Sequence, residues 1–305
     1  MTRAAREGPG GADPAGAARG FLDRLERWVA TERSTSAPGL RAALLAHLRA
    51  AQAEQPESAL VHQLGARALE VAEAGVARGD PPVELRDHLA RSCAAEREDL
   101  DASEDAAARE ATLLLDRREA WIAVVGNGAL TRRALLETRR AGRAPRVLVA
   151  EARPGLDGRV LAAAVAAERI PVWLVVDAAL PLLLSQAAAV WLEAEAVTDQ
   201  GAVCRIGAYA AALAAREHSV PVWLLATRRR FLPATTGALR LVERPPAAVW
   251  EAPPEGVRPR NVHHELVPLA LTRGVVVEDA VLGPTESATL ARERPLPEAL
   301  AGATS

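Results

Sequence analysis

Five short apolar runs after residue 119 restrict the folds open to this chain more than any other feature. WIAVVG (121–126), RVLVAEA (146–152), PVWLVVD (171–177), VWLEAEAV (190–197) and VPVWLLAT (220–227) are Val-rich and nearly continuous in apolar character, and an Ala/Leu-rich helical stretch follows each of the first four. A strand that is apolar on both faces must be covered on both, which a parallel sheet with helices on each side provides. The expected fold class is α/β: an N-terminal helical bundle followed by a doubly wound, mostly parallel, Rossmann-like sheet over 119–290.

The helical expectation for 21–118 comes from a change of period. Phe21, Leu22, Leu25, Trp28 and Val29 recur at i, i+3, i+4 spacing, and Leu40, Leu44, Leu45 and Leu48 repeat it after the STSAPG break at 34–39. A third helical segment over about 58–78 ends near GDPP, and a long charged helix runs through REDLDASEDAAAREATLLLDRR, whose charges read as a solvated face. Residues 1–20 are small and Gly/Pro-punctuated, so they read as a disordered terminus and not as a signal peptide, and 291–305 reads as a flexible tail.

With 50% apolar and 25% charged residues and a formal charge of −2, the chain of 305 residues has the composition of a globular protein and lacks the basic surplus that phosphate-driven nucleic-acid binding needs. No apolar run is long enough for a membrane span. Two cysteines, Cys93 and Cys204, make no disulfide framework and no zinc-ligand cluster, which points to a cytoplasmic setting without a metal or other cofactor. All 37 basic residues are arginine, so Schiff-base and P-loop lysines are excluded.

In a doubly wound sheet ligands gather at the carboxyl ends of the strands. Those ends carry Gly126-Asn127-Gly128, Glu151 and Arg153, Asp177, Glu195 with Asp199, and Thr227-Arg228. The VVGNGALTRRAL segment has the start of a dinucleotide fingerprint, with Glu151 where a ribose-binding acid would lie. Thr131 stands where its third small residue belongs, so a tight turn is the better reading. GAVCRIGAYAAALAA (201–215) reads as a strand-to-helix turn, the kind of place where ligands bind in a repeating strand–helix chain. His263-His264 has no acidic or Cys partner at ligand spacing and reads as structural.

Several of these segments, taken in order, resemble the translation initiation factor 2B α/β/δ family, which includes methylthioribose-1-phosphate isomerase and ribose-1,5-bisphosphate isomerase. The family pattern runs E-x-R-P-x-x-x-G after a strand, then D-S-A after another, then G-A-D leading to N-K-I-G-T-Y, then R-N-P-x-F-[DE]-x-T-P. Glu151, Arg153, Pro154 and Gly158 match the first element; Asp177 and Ala179 the second; Ile206, Gly207 and Tyr209 the third; Arg260, Asn261, Glu265 and Pro268 the last. The resemblance covers about 120–285, and the helical front half fits by type.

The resemblance implies a phosphorylated ligand, a sugar phosphate or nucleotide, on Gly126, Asn127, Gly128, Glu151, Arg153, Asp177, Arg205, Gly207 and Tyr209. It also implies homo-oligomers formed through the α/β half, with Trp223, Trp250 and ELVPLALTRGVVV as contributors. The family's isomerases resemble one another in a catalytic Cys after the first strand, where this chain has Val125-Gly126-Asn127, and in an Asp of G-A-D, where it has EAEAV. The Asn-Lys pair has become Cys204-Arg205, and the segment before it is one residue shorter. The expectation is therefore a non-catalytic binding and assembly protein. The alternative is an aldose–ketose isomerase in which Glu195, Asp199 or Cys204 has taken over the chemistry; a nicotinamide oxidoreductase is the least favoured reading.

Overall fold

A computed structural model describes residues 14–115, 119–237 and 239–301. Its front half is four helices, α1 (Pro14–Thr31), α2 (Ala37–Glu54), α3 (Ala59–Arg78) and α4 (Pro82–Thr112). Local chemistry sets their ends. Ser36 accepts a hydrogen bond from the Gly39 amide at 3.2 Å to cap α2, and Gly79, at φ +76°, closes α3 in the left-handed conformation that costs glycine little. Leu40, Leu44, Leu48, Leu60, Leu64, Leu69, Leu85 and Leu89 are fully buried between the helices.

Both expected floppy ends are partly folded. Within 1–20, α1 already begins at Pro14 and buries Ala17 and Ala18; residues 1–13 lie outside the described residues. Within 291–305, the last helix runs to Arg292 and Leu296 and Leu300 pack into the helical core, while the Arg49 guanidinium donates to the Ala299 carbonyl at 3.0 Å. Two leucines spaced four apart were enough apolar surface to bring the tail down onto the bundle.

The back half follows in the order β1 (Glu119–Val124), α5 (Ala129–Arg140), β2 (Ala144–Ala150), α6 (Asp157–Ala167), β3 (Val172–Val175), α7 (Leu180–Leu183), β4 (Ala189–Val197), β5 (Ala202–Arg205), α8 (Ala208–Glu217), β6 (Val222–Leu225), β7 (His264–Val267), β8 (Gly274–Val276), β9 (Val281–Leu282) and α9 (Pro284–Arg292). The main sheet has the order β3-β2-β1-β4-β6-β8-β9, parallel except for the β9 edge. Strand order reverses between β1 and β4, which is where such sheets open a crevice at their carboxyl ends.

One expected element differs. GAVCR does not lead straight from a strand into a helix; it returns as β5, antiparallel to the far half of β4, and β7 pairs with its other edge. The Thr198 hydroxyl accepts from the Gln200 and Gly201 amides at 3.2 and 3.1 Å, and this closes the four-residue turn. β4 thus serves two sheets. Its first half is the centre of the parallel sheet and its second half opens a small antiparallel one. Ala196, Val203 and Leu232, from this region, pack into the helical core, so the two halves of the chain share buried surface.

Candidate functional site

Beyond the carboxyl end of β4 lies a cavity of about 750 Å³ with three walls. Glu195 and Arg205 come from β4 and β5; Ala17, Glu54, Gln55, Glu57 and Ser58 come from α1 and the α2–α3 connection. Arg244, Pro245, Ala247, Ala248, Glu251, Asn261, His263 and His264 come from the long irregular strand-to-strand connection after β6 and the start of β7. That connection is tied to the α2–α3 connection and to itself. Arg244 pairs with Glu57, the Arg240 amide donates to the Pro56 carbonyl at 2.9 Å, and Asn261 Nδ2 donates to the Pro245 carbonyl at 2.6 Å. Irregular segments of this length in a compact fold are typical of binding loops.

The cavity's surface is largely apolar, with charged side chains set into it. Arg205 Nη2 lies 3.2 Å from Asp157 Oδ2, and its aliphatic stem crosses Gly126, where a Cβ would come within 2.9 Å of Arg205 Cγ. His264 lies between two carboxylates, with Nδ1 3.5 Å from Glu57 Oε1 and Nε2 3.5 Å from Glu195 Oε1. Burial works to raise the Glu195 pKa, but His264, Arg205 and Arg230 outweigh it and hold the carboxyl below its ordinary range. Burial, helped by the nearby Arg205, pushes the His263 pKa down, so its imidazole is neutral.

Four buried side-chain atoms of the lining residues, Gln55 Oε1, Glu57 Oε2, Asn261 Oδ1 and His263 Nε2, have no hydrogen-bond partner among the described residues, and His264 Nε2 has only the 3.5 Å contact with Glu195.

Of the residues singled out in the sequence, Glu195 and Arg205 line this cavity. The others are occupied elsewhere. Asp177 accepts the Ala152 and Arg153 amides at 2.8 Å each, and Glu151 pairs with Arg159 at 2.6 Å. The Arg153 guanidinium reaches the Val249 carbonyl at 3.3 Å, on the connection next to Ala248, and so sits behind the cavity wall rather than on it. Asp199 holds the Ala234 amide at 2.8 Å and stands 3.6 Å from Arg292. Gly207, at φ +96°, turns the chain into α8, and Tyr209 is exposed, with its amide donating to Glu265.

Gly126, Asn127 and Gly128 do not form the floor of the cavity. Gly128 makes room for a residue that sequence reasoning passed over, since a Cβ there would lie 1.8 Å from Glu193 Oε2. That carboxylate accepts the Thr131 amide at 2.8 Å at the start of α5 and pairs with the fully buried Arg230 at 2.9 Å. The helix N-terminus that a dinucleotide's pyrophosphate would use is therefore filled by the protein's own carboxylate, which removes the physical basis of the nicotinamide reading.

Cys204 is 1% exposed and packs among apolar side chains; burial, reinforced by Glu195, Glu265 and Glu193, pushes its pKa far up, so it offers no thiolate. His263-His264, read as structural, are buried residues of the cavity lining, and His264 has the acidic partners, Glu57 and Glu195, that sequence spacing did not reveal. Asn261 had a signal in its motif match, and Arg244 lay in a motif fragment, LVERPP. Gln55 and Glu57 had none, because they reach the site from a part of the chain with no motif of its own.

A profile of the Initiation factor 2 subunit family matches residues 18–271. The chain belongs to this family. A translation initiation factor eIF-2B subunit 2-like protein of Pyrococcus furiosus is 32% identical over 152 residues, covering 49% of this chain and 53% of that protein. A methylthioribose-1-phosphate isomerase of Oleidesulfovibrio alaskensis is 33% identical over 157 residues, covering 48% and 44%. The chain thus spans about half the length of the relatives it matches. In fold, the translation initiation factor eIF-2B of Pyrococcus horikoshii superposes with a TM-score of 0.77 at 20% identity, covering 92% of this chain and 94% of that one. Among the described residues no helix is long and apolar enough to cross a membrane, and no group of His, Cys, Asp and Glu is arranged to hold a metal ion.

Proposed function

We propose that this member of the family binds a phosphorylated small molecule, a sugar phosphate or a nucleotide, in the cavity beyond β4, does not turn it over, and works in the cytoplasm as an assembling binding protein. The observation that carries the reading is a cavity of about 750 Å³ at the carboxyl side of the sheet, onto which Arg205, Arg244, Glu195, Asn261, His263 and His264 converge. Arg205 and Arg244 supply fixed positive charge for a phosphate, and the forked guanidinium suits its oxygens. Chemistry is poorly provided for. The position after β1 holds Gly126, Cys204 is buried in apolar surroundings, and Asp199 lies off the cavity.

One observation favours the isomerase alternative: Glu195 brings a carboxylate to the cavity wall, where it has the form of a general base, weakened by the charges that hold its pKa down. Thermal unfolding with ribose 1,5-bisphosphate, methylthioribose 1-phosphate and AMP, paired with detection of product by NMR, separates the two. At a hundredfold excess over Kd a ligand adds about 2.7 kcal/mol, a shift of several degrees. A shift without turnover is expected. No shift with any of the three ligands overturns the binding reading, and turnover that disappears in Glu195→Gln establishes the isomerase.

A further inference from the structure

A second cavity, of about 1030 Å³, opens at the opposite end of the main sheet, under the amino ends of its strands. Its walls are the starts of β1 and β6, Arg146 of β2, and the segments that lead into β4, β6 and β8. The parallel strands separate it from the cavity beyond β4, and the two share no lining residue among those described. Glu119 is the only carboxylate on this lining among the described residues, and Arg146 pairs with it at 3.0 Å. Arg216 and Arg273 are exposed and have no ion pair or side-chain hydrogen bond among the described residues. The carbonyl end of α8 gives Arg216, in its last turn, a partial reason to be there. It gives Arg273 none: that residue enters β8 with its amide donating to the Val222 carbonyl at 2.7 Å, and its guanidinium stays without a partner.

Trp121 and Trp223, both half-buried, border the same space from opposite faces of the sheet. Trp121 belongs to the face that buries Ala123 and Leu148, and Trp223 to the face that buries Ile122 and Val124. Cavities that hold small molecules combine apolar and aromatic walls with a few charged groups. Two uncompensated cations call for an anion, and two indoles for a planar apolar body. A bare inorganic anion leaves the rings uncovered, and a neutral ring leaves the cations unanswered. We propose that the amino-end cavity is a second ligand site, for a planar aromatic anion whose charged group meets Arg216 and Arg273 while its ring lies against Trp121 and Trp223. The site is independent of the phosphorylated ligand assigned above to the cavity beyond β4.

The test is calorimetric titration of the full chain with 2-naphthoate and 2-naphthyl phosphate, against 2-naphthamide, which has the ring without the charge, and citrate, which has charge without the ring. At least one of the two aromatic anions is expected to bind with a Kd below about 1 mM and about tenfold or more tightly than either control. In Arg216→Gln/Arg273→Gln its affinity is expected to fall about tenfold or more, since charge-assisted hydrogen bonds are lost. Should the double variant not fold, each single variant is read in its place. Arg244→Gln, in the other cavity, is expected to leave the affinity within about twofold. No binding of either aromatic anion at millimolar concentration overturns the site, as do controls that bind equally well or an unchanged affinity in the folded arginine variants. Loss of affinity in Arg244→Gln alone also overturns it, by placing the anion beyond β4. None of these results depends on whether ribose 1,5-bisphosphate, methylthioribose 1-phosphate or AMP binds, so the two readings fail separately.

Discussion

At the scale of single residues, Cys204 and Gly128 show how a position can be conspicuous in sequence for one reason and fixed in the fold for another. Cys204 draws notice as a thiol beside an arginine at a turn, yet its side chain points into an apolar cluster and the guanidinium of Arg205 goes to Asp157. Burial also pushes Cys93 up, to about 12. Neither thiol should therefore react with Ellman's reagent at pH 8 in the native protein, and both should titrate at once in denaturant; fast labelling of one equivalent before unfolding would contradict this. Cys204→Ser should cost about 1–3 kcal/mol by urea denaturation, through burial of a hydroxyl with no partner, and leave any ligand-induced stabilisation unchanged. Gly128 looked like a phosphate-loop glycine and is instead the space that Glu193 fills. Gly128→Ala should cost about 1–3 kcal/mol, since the Glu193 carboxylate is held in place by Arg230 and the Thr131 amide and cannot simply swing aside; a stability equal to the parent's would show that it can. The glycine was legible as a close-approach site, but its partner was not, because Glu193 lies 65 residues away and looks like any strand charge.

At the scale of elements, β4 is the piece on which fold and site both depend. β1 and β2, on one side of it, were legible because strands buried on both faces must be apolar throughout; β3 carries the same pattern in sequence although it is the sheet's edge, with Trp173 and Leu174 exposed. The return of β5 was not legible. AVCR is four residues long, too short for a period to declare itself, and the two-sheet role of β4 depends on a β-bulge between Ala194 and Ala196 that leaves no compositional trace. Consecutive odd residues of β4 then serve different partners: Glu193 turns to Arg230 and α5, and Glu195 to His264 and the cavity. Arg230, fully buried, joins Glu193 of β4 to Glu104 of α4 and donates to the Ala194 carbonyl at 2.7 Å, so one side chain fastens the helical half to the sheet. Arg230→Met should cost about 3–5 kcal/mol, because it strands buried carboxylates, and Glu193→Gln in the same chain should recover part of that loss. A double-mutant cycle in urea measures this. Strict additivity of the two losses would mean that the pair is not coupled.

At the scale of the whole molecule, buried titratable groups set how the fold responds to acid. Burial pushes the pKa of His47, His62 and His263 down, so between their folded values and the ordinary value near 6.5 the unfolded chain binds more protons than the native one. Their contribution is whole above about 6.5 and drains away as pH falls below it. The depressed Glu195 adds a loss of the same sign at lower pH, and Glu278, pushed up by burial, opposes it only near the carboxylate range. The urea midpoint should accordingly be lower at pH 5.5 than at 7.5, and a flat or rising midpoint would place these imidazoles in water. Assembly is the other whole-molecule property, and here the structure redraws the surface expected from sequence. Most of ELVPLALTRGVVV is core, with Val267, Val275, Val276 and Val277 buried, and Trp223 is only partly exposed. What remains outward is Trp250, at 51% exposure, with Leu241, Val242 and Val249 on the same connection and Leu266 on the free edge of β7. Exposed apolar side chains near a free strand edge are where a second surface is expected to bind. If pairing of copies uses this face, the parent should sediment as a dimer or larger at micromolar concentration and Trp250→Glu should shift it toward monomer, whereas Trp173→Glu, on the opposite edge strand β3, should not. A monomeric parent would remove the proposal of assembly altogether. An unmoved Trp250→Glu beside a dissociated Trp173→Glu would transfer it to the β3 edge.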